Sequence, residues 1–416
     1  MNYNKKLIYG FLISVIVASL GILSAFFIIS NKSPINKDPL DSEIEDLMED
    51  YDIPSLTAGI VINNSLVWVN GFGDQPNLDT VYMIGSITKT FTAASILQLN
   101  ESNLLNLDDD INYYLPFSVR NPYYPDISIT PRMLLSHTAG LQTNLYWSLE
   151  YYFNNQTIDW INQNLGYEII AFSDRPTLED FLNGSLNPAG DFYNAYNWYN
   201  KPGREFHYSN AGYQLLSFLI EVITNQTLEQ FIYENIFVPL NMTNTGFFYT
   251  DFIDNHAIPY EWKDNSNFEF PLYNINVSGA GSIRSTILDM AKYMICFMNL
   301  GFYNGIQLIS PESVALMHSK EIEFSGTSAE GFAYRGYGLG WFIYEFGARG
   351  HGGATPGFSS NMVFRKTNEG SYGYILMFNR GSALIYDEKL ITQFIPLINV
   401  ILFDQAEDMF QNTLSA

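Results

Sequence analysis

A serine and a lysine three residues apart are the first pair in this chain that could carry out covalent catalysis. Ser86 and Lys89 lie at the start of a predicted buried helix over Thr88–Leu99. Positions i and i+3 share a helix face, so the Lys89 amine can reach the Ser86 hydroxyl. Serine needs a base to take its proton, and a desolvated lysine with a lowered pKa can be that base. The pattern alone also fits an ordinary helix cap followed by an exposed lysine.

A second motif, Tyr208-Ser-Asn210, stands just before a predicted helix over Ala211–Thr224. A phenol near a lysine ammonium can act as acid or base. The Asn210 amide can hold a substrate carbonyl together with the Lys89 amine. The alternative is a turn with an asparagine cap.

A third motif, His351-Gly-Gly-Ala354, opens a predicted strand. Gly352 and Gly353 would let a substrate backbone approach closely, because they carry no side chain. The backbone N–H groups of Ala354 and Ser86 would together bind an oxyanion. The alternative is a glycine-rich turn.

The elements that must position these motifs come from both ends of the chain. Two apolar runs, Leu56–Ile62 and Leu66–Phe72, flank Asn63-Asn64-Ser65 and predict a hairpin. Strands are predicted at Ser360–Phe364 and Tyr372–Phe378, and further helices at Thr286–Leu300 and from Glu388 to about Phe403. We therefore predict an α/β fold of the α+β type, with an antiparallel sheet flanked by helices and a helical insertion over roughly 98–275.

The three motifs and their order resemble the serine β-lactamase and penicillin-binding protein superfamily, in its class C-like branch with esterases and D-aminopeptidases. The resemblance is also carried by Ile127 to Leu141, Pro202-Gly203, Gly279-Ala-Gly-Ser282 and Tyr337-Gly-Leu-Gly-Trp341. It implies a β-lactamase/transpeptidase-like domain at 41–405, which includes the helical sub-domain, and a tail at 406–416.

The resemblance implies a role for each residue of the three motifs. Ser86 would be the acylated nucleophile, Lys89 its base partner and Tyr208 a member of the proton relay. Substrate and oxyanion binding would fall to Asn210, His351, Gly352, Gly353 and Ala354. No cofactor is implied, and we expect no metal, since motifs such as His-Glu-x-x-His are missing from the sequence.

His351 departs from the Lys-Thr-Gly motif of β-lactamases and removes the fixed cation that grips a substrate carboxylate. An imidazole is mostly neutral near pH 7. The expected substrate is therefore an ester or a peptide or amide, as for an esterase or D-peptidase. The alternatives are a β-lactamase or D-Ala-D-Ala carboxypeptidase, and a non-catalytic penicillin-binding-like protein.

The N-terminus predicts a membrane anchor. A short segment, 1–6, ends in Lys5 and Lys6, and an uncharged, mostly apolar run over 7–29 follows it. That run is long enough to span a bilayer as a helix. A polar tether at 30–40 would lead to a catalytic domain outside the cytoplasm. A cleaved signal peptide is the alternative.

The net charge of the chain and two single residues, Cys296 and His137, also bear on the class of function. The chain carries 20 basic and 43 acidic residues, a formal charge of −23, so nucleic-acid binding is not expected. Cys296, the one cysteine, lies in an apolar run and is expected to be a buried thiol rather than a catalytic one. His137 is expected to form a structural hydrogen bond after a helix, although a Ser/His/Asp triad is conceivable. The sequence names no oligomeric state.

Overall fold

A two-residue turn at Asn63 and Asn64 joins the first two strands of the central sheet. Asn63 has a φ of +54°, in the left-handed region that asparagine enters more readily than most residues. Its Oδ1 accepts a hydrogen bond from the Ser371 amide at 2.9 Å. The predicted hairpin is confirmed as antiparallel strands β1 (Ser55–Ile62) and β2 (Ser65–Gly73).

The computed structural model describes residues 38–74, 77–142, 151–152, 155–166, 176–275 and 278–415. Its helices are α1 Pro39–Asp50, α2 Thr88–Glu101, α3 Pro131–Leu135, α4 Asn155–Leu165, α5 Leu178–Leu186, α6 Asn210–Thr224, α7 Leu228–Ile232, α8 Ser278–Gly281, α9 Ile287–Met298, α10 Pro311–Met317 and α11 Ile395–Ser415. The remaining strands are β3 Tyr82–Met83, β4 Tyr151–Tyr152, β5 Tyr260–Lys263, β6 Ser266–Glu269, β7 Asn274–Ile275, β8 Arg284–Ser285, β9 Phe302–Tyr303, β10 Ile306–Gln307, β11 Tyr334–Tyr337, β12 Phe342–Tyr344, β13 Ala348–Thr355, β14 Phe358–Lys366, β15 Ser371–Phe378 and β16 Arg380–Gly381.

Strands from the two ends of the chain form one seven-stranded sheet. Its order is β11-β12-β13-β14-β15-β1-β2, and all neighbouring strands are antiparallel. Every residue of β1 and of β15 is buried, because helices α9 and α11 both pack against these strands. The predicted antiparallel sheet flanked by helices is confirmed.

The predicted insertion at about 98–275 is helical around α6. This helix packs against α2, α3 and α8, and so brings the insertion against the helix that follows Ser86. The sequence did not indicate the small strands here: β5 and β6 form a three-stranded sheet with β16. Strands this short have too few residues to show an alternating pattern.

The C-terminal helix is longer than predicted and requires a correction. A π-helical turn at Leu390–Phe394 leads into α11, which continues to Ser415. Phe410 is buried, with its ring centroid 5.1 Å from that of Tyr372. The boundary placed between 405 and 406 therefore falls inside a packed helix. The start placed at residue 41 likewise falls inside α1.

The predicted anchor at 7–29 and most of the tether at 30–40 lie outside the described residues. Within the ranges that the structure describes, no helix combines the length and the apolar character needed to cross a bilayer. The first 46 residues separate from the rest as a unit of their own, of which the described part is 38–46, and residues 47–416 form the second.

Candidate active site

Ser86 and Lys89 meet at the start of α2. Ser86 lies in a 3₁₀ turn, Gly85–Ile87, and Lys89 is the second residue of the helix. The Lys89 amine nitrogen Nζ lies 3.0 Å from Ser86 Oγ and donates to the Ala280 carbonyl oxygen at 2.6 Å. Lys89 is fully buried whereas Ser86 is partly exposed. The hydroxyl can thus meet a substrate while the amine is shielded from water.

Tyr208 is the second group that faces Ser86. The phenol forms a hydrogen bond with the Ser86 side chain, and its ring lies 4.9 Å from Lys89 Nζ. Burial raises the pKa of the Tyr208 phenol well above its usual range. The phenol is therefore protonated at neutral pH and positioned to pass a proton to or from the serine oxygen.

A helix cap fixes the position of Tyr208. Ser209 caps α6, with its Oγ accepting from the Gly212 amide at 3.1 Å and donating to the Gln142 carbonyl oxygen at 2.6 Å. Asn210 is the first residue of α6. The cap thus places Tyr208 and Asn210 on either side of the anchored Ser209. The substrate contact assigned to Asn210 stays a prediction.

His137 supports this cap and does not form a triad. It follows α3 with a φ of +58°, and its Nδ1 accepts from the Ser209 amide at 3.0 Å. A triad histidine must bond both the serine and a carboxylate. His137 Nε2, by contrast, has no hydrogen-bond partner among the described residues. The structural role expected for His137 is the one observed.

Two glycines, one in β13 and one in the turn that holds Ser86, lie where a side chain would not fit. A Cβ on Gly353 would lie 2.0 Å from the Ile84 carbonyl oxygen, and one on Gly85 would lie 2.7 Å from the Ala354 nitrogen. Gly85 also has a φ of +49°, which suits glycine. Glycine at these positions lets the Ala354 amide approach the Ser86 turn, as an oxyanion pair requires.

His351 is a neutral side chain in this setting. Its Nδ1 donates to the Gly352 carbonyl oxygen at 2.6 Å, and its Nε2 lies 3.2 Å from the Tyr337 hydroxyl. Because a carbonyl only accepts, the proton is on Nδ1, and Nε2 accepts from Tyr337. Burial, and then the Lys89 charge, lower the pKa of His351 to about 3. It offers no cation to a substrate carboxylate at neutral pH.

A cavity of about 230 Å³ joins these groups. Of the predicted residues, Ser86, Tyr208, His351, Gly352, Gly353 and Ala354 line it. Lys89 and Asn210 are not among the lining residues, although Lys89 bonds Ser86, which is one of them.

The sequence missed three contributors to the site. Glu330 lines the same cavity, Tyr337 holds His351, and the Ala280 carbonyl accepts from Lys89. Tyr337 and Ala280 belong to segments that the resemblance had singled out, so their closeness to the site could have been anticipated. Glu330 lies in an unpatterned stretch and carried no such signal.

Thiol catalysis by Cys296 finds no support in the described structure. Cys296 is buried, and burial raises its pKa to about 12, so the reactive thiolate is scarce at neutral pH. Within the described ranges, no group of histidine, cysteine and acidic side chains is arranged to hold a metal ion.

Comparison with known proteins gives one family over most of the chain. Residues 40–391 match the family model described as Beta-lactamase. Protein flp of Staphylococcus aureus is 26% identical over 366 residues, which cover 85% of this chain and 64% of flp. The chain therefore spans less than two thirds of the length of this curated relative.

Two solved structures with a similar fold are a penicillin-binding protein homologue and a D-amino acid amidase. The octameric penicillin-binding protein homologue from Pyrococcus abyssi aligns with a TM-score of 0.67 and 24% identity over 82% of this chain and 72% of that one. D-amino acid amidase from Ochrobactrum anthropi SV3, complexed with L-phenylalanine amide, aligns with a TM-score of 0.64 and 18% identity over 90% and 99%. Such identities establish the fold alone, and the predicted β-lactamase/transpeptidase-like fold is confirmed.

Proposed function

We propose that this chain, which belongs to the Beta-lactamase family, is a serine hydrolase that cleaves an ester or a peptide or amide through an acyl-enzyme at Ser86. The observation that carries the proposal is the contact of one partly exposed serine hydroxyl with both a buried lysine amine and a buried phenol. A serine alcohol becomes a nucleophile only when such a base stands beside it.

The reaction has two halves. Ser86 Oγ attacks the substrate carbonyl carbon while its proton passes to the Lys89 and Tyr208 pair, and the backbone amides of Ser86 and Ala354 hold the oxyanion. The carbonyl re-forms, the bond to the leaving group breaks, and the pair returns the proton to that group. A water then attacks the ester, and its proton goes to Ser86 Oγ as the acid departs.

The neutral side chain of His351 makes β-lactamase and carboxypeptidase activity less favoured than the proposed function. A β-lactamase or a D-Ala-D-Ala carboxypeptidase must hold a substrate carboxylate, and a histidine whose pKa is about 3 supplies no charge for it. These activities are therefore the second choice. A non-catalytic binding protein comes third, because such a protein would not need the Ser86, Lys89 and Tyr208 contacts.

Covalent labelling tests the proposal. A fluorophosphonate probe should label the wild-type chain at Ser86 and should not label Ser86→Ala. Ser102→Ala is the matched control, since Ser102 is an exposed serine at the end of the same helix, and its labelling should equal that of wild type. Equal labelling of Ser86→Ala and wild type would remove Ser86 as the nucleophile.

We also propose that residues 7–29 anchor the enzyme in a membrane as a single span, with the catalytic domain outside the cytoplasm. The support is the length of the apolar run and the polar tether after it. Extraction at high pH is the test, because an integral protein stays in the membrane pellet. Full release of the uncleaved chain into the supernatant would contradict the proposal.

A further inference from the structure

Glu330 stands near the tip of a tight turn before β11. The Gly331 amide donates to the Ser328 carbonyl oxygen at 3.0 Å, and the Phe332 amide donates to Ser328 Oγ at 3.1 Å. Gly331, with a φ of +87°, lets the chain turn this sharply. A Cβ on Gly352 would lie 2.0 Å from Glu330 Oε1. The turn thus fixes a carboxyl group against the strand that borders the Ser86 cavity.

The Glu330 carboxyl is buried and only partly satisfied. Glu330 lines the Ser86 cavity and is 8% exposed. Ser328 and the backbone amide of Glu330 itself bond the carboxyl, and Asn361, with its amide nitrogen facing Glu330, donates to Oε1 at 3.2 Å. Oε2 has no hydrogen-bond partner among the described residues. A buried polar atom without a partner costs free energy, so a ligand that supplies a positive charge nearby would be favoured.

The groups that face Glu330 are neutral at neutral pH. They are the phenols of Tyr208, Tyr334, Tyr344 and Tyr374, whose pKa values are raised by burial and then by the Glu330 charge. The imidazole of His351 lines the same cavity, and burial lowers its pKa to about 3. Burial raises the pKa of Glu330 itself. Among the described residues, no lysine or arginine forms an ion pair with this carboxyl.

We infer that Glu330 makes the enzyme select acyl donors that carry a protonated amine close to the scissile carbonyl, and reject donors that carry a carboxylate there. The inference rests on the proposed acyl transfer at Ser86 and adds the substrate class. An ammonium group in the cavity would give the carboxyl the opposite charge it lacks. A substrate carboxylate would be repelled by the negative charge of Glu330, and His351 would supply no compensating cation.

Three substrates of nearly equal size separate the charges. They are the p-nitroanilides of alanine, of lactic acid and of methylmalonic acid, which place an ammonium, a hydroxyl and a carboxylate on the same carbon. Each enantiomer is assayed separately. We expect kcat/KM for the ammonium substrate to exceed that for the hydroxyl substrate by about 10-fold, with the carboxylate substrate lowest.

Glu330→Gln should reduce the ammonium-to-hydroxyl ratio to about 1. Glu323→Gln is the matched control, because Glu323 is an exposed glutamate that pairs with Lys320, and it should keep the wild-type ratio. Acidification of the wild-type enzyme should lower the ratio too, because a protonated Glu330 has no charge. The substrate ammonium stays charged throughout. This decline should begin above pH 4.5, the ordinary pKa of a glutamate.

A second measurement does not depend on turnover. Fluorophosphonates that bear an ammonium or a hydroxyl group are compared by their rate of Ser86 labelling, with the same ratio expected. A wild-type ratio near 1 in turnover and labelling, or a ratio that Glu330→Gln retains, overturns the inference. Absence of any labelling at Ser86 overturns the proposed function instead, so the two failures are distinct.

Discussion

The chemistry at Ser86 depends on partners that have little exposure of their own. Lys89 is fully buried, yet its amine meets the serine hydroxyl on one side and the Ala280 carbonyl on the other. Holding an ammonium away from water is costly unless such groups surround it.

Removing only the Tyr208 hydroxyl tests its part in the proton relay. Tyr208→Phe keeps the ring near Lys89 and should lower kcat by about 10²–10⁴-fold on an activated ester. Tyr199→Phe is the control, since Tyr199 is an exposed tyrosine that stacks on His207, and its kcat should match wild type. Full activity in Tyr208→Phe would contradict the relay.

The start of α6 holds the second half of the site, and one residue organises it. Ser209 caps the helix, bonds the Gln142 carbonyl and receives the support of His137. Tyr208 therefore takes its position from hydrogen bonds of its neighbour. A substitution at the cap should therefore affect catalysis without altering a reacting group.

Ser209→Ala should cost about 1 kcal/mol of unfolding free energy and also lower kcat, because the cap is lost beside Tyr208. Thr227→Ala is the matched control. Thr227 caps α7 through the Gln230 amide, so its loss should cost similar stability and leave kcat unchanged. Denaturant unfolding and ester kinetics measure the two effects. Equal kcat values for the two variants would mean that the cap does not position Tyr208.

The sequence predicted those elements whose pattern is local. The Asn63 turn between two apolar runs and the Ser86 to Lys89 spacing both depend on residues close in the chain, and both were found. The Glu330 turn was missed because its importance comes from Gly352, which joins it only through the folded sheet. Likewise the length of α11 was underestimated, since Phe410 stands among acidic residues and shows its role only when packed on Tyr372.

Across the whole molecule, buried titratable groups determine how acid affects stability. His137, His256 and His351 are buried, and burial lowers the pKa of each, to about 3 for His256 and His351. In the unfolded chain they bind protons near pH 6.5. Below that pH each costs about 1.4 kcal/mol of stability per pH unit until its folded pKa is reached.

Two glutamates act in the opposite direction over a narrower range. Burial raises the pKa of Glu221 and of Glu261 to about 7, so the folded state binds their protons first as pH falls from 7 to about 4.5. Below about pH 4.5 the unfolded chain has bound them too, while the histidine cost keeps growing. We expect the unfolding temperature to change little from pH 7 to 5 and to fall steeply below pH 4.5. Calorimetry across this range is the measurement, and an unfolding temperature that holds steady down to pH 3.5 would contradict the expectation.

The pairing of β1 with β15 determines when the central sheet can form during synthesis. Leu56 lies opposite Phe378, more than 300 residues later in the sequence, and both strands are buried throughout. During synthesis β1 emerges from the ribosome long before its partner exists, and its second edge stays open until then. Such an edge readily pairs with other chains. The centre of the sheet can therefore close only after β15 has been made, so a chain cut short before β15 is left with an aggregation-prone edge.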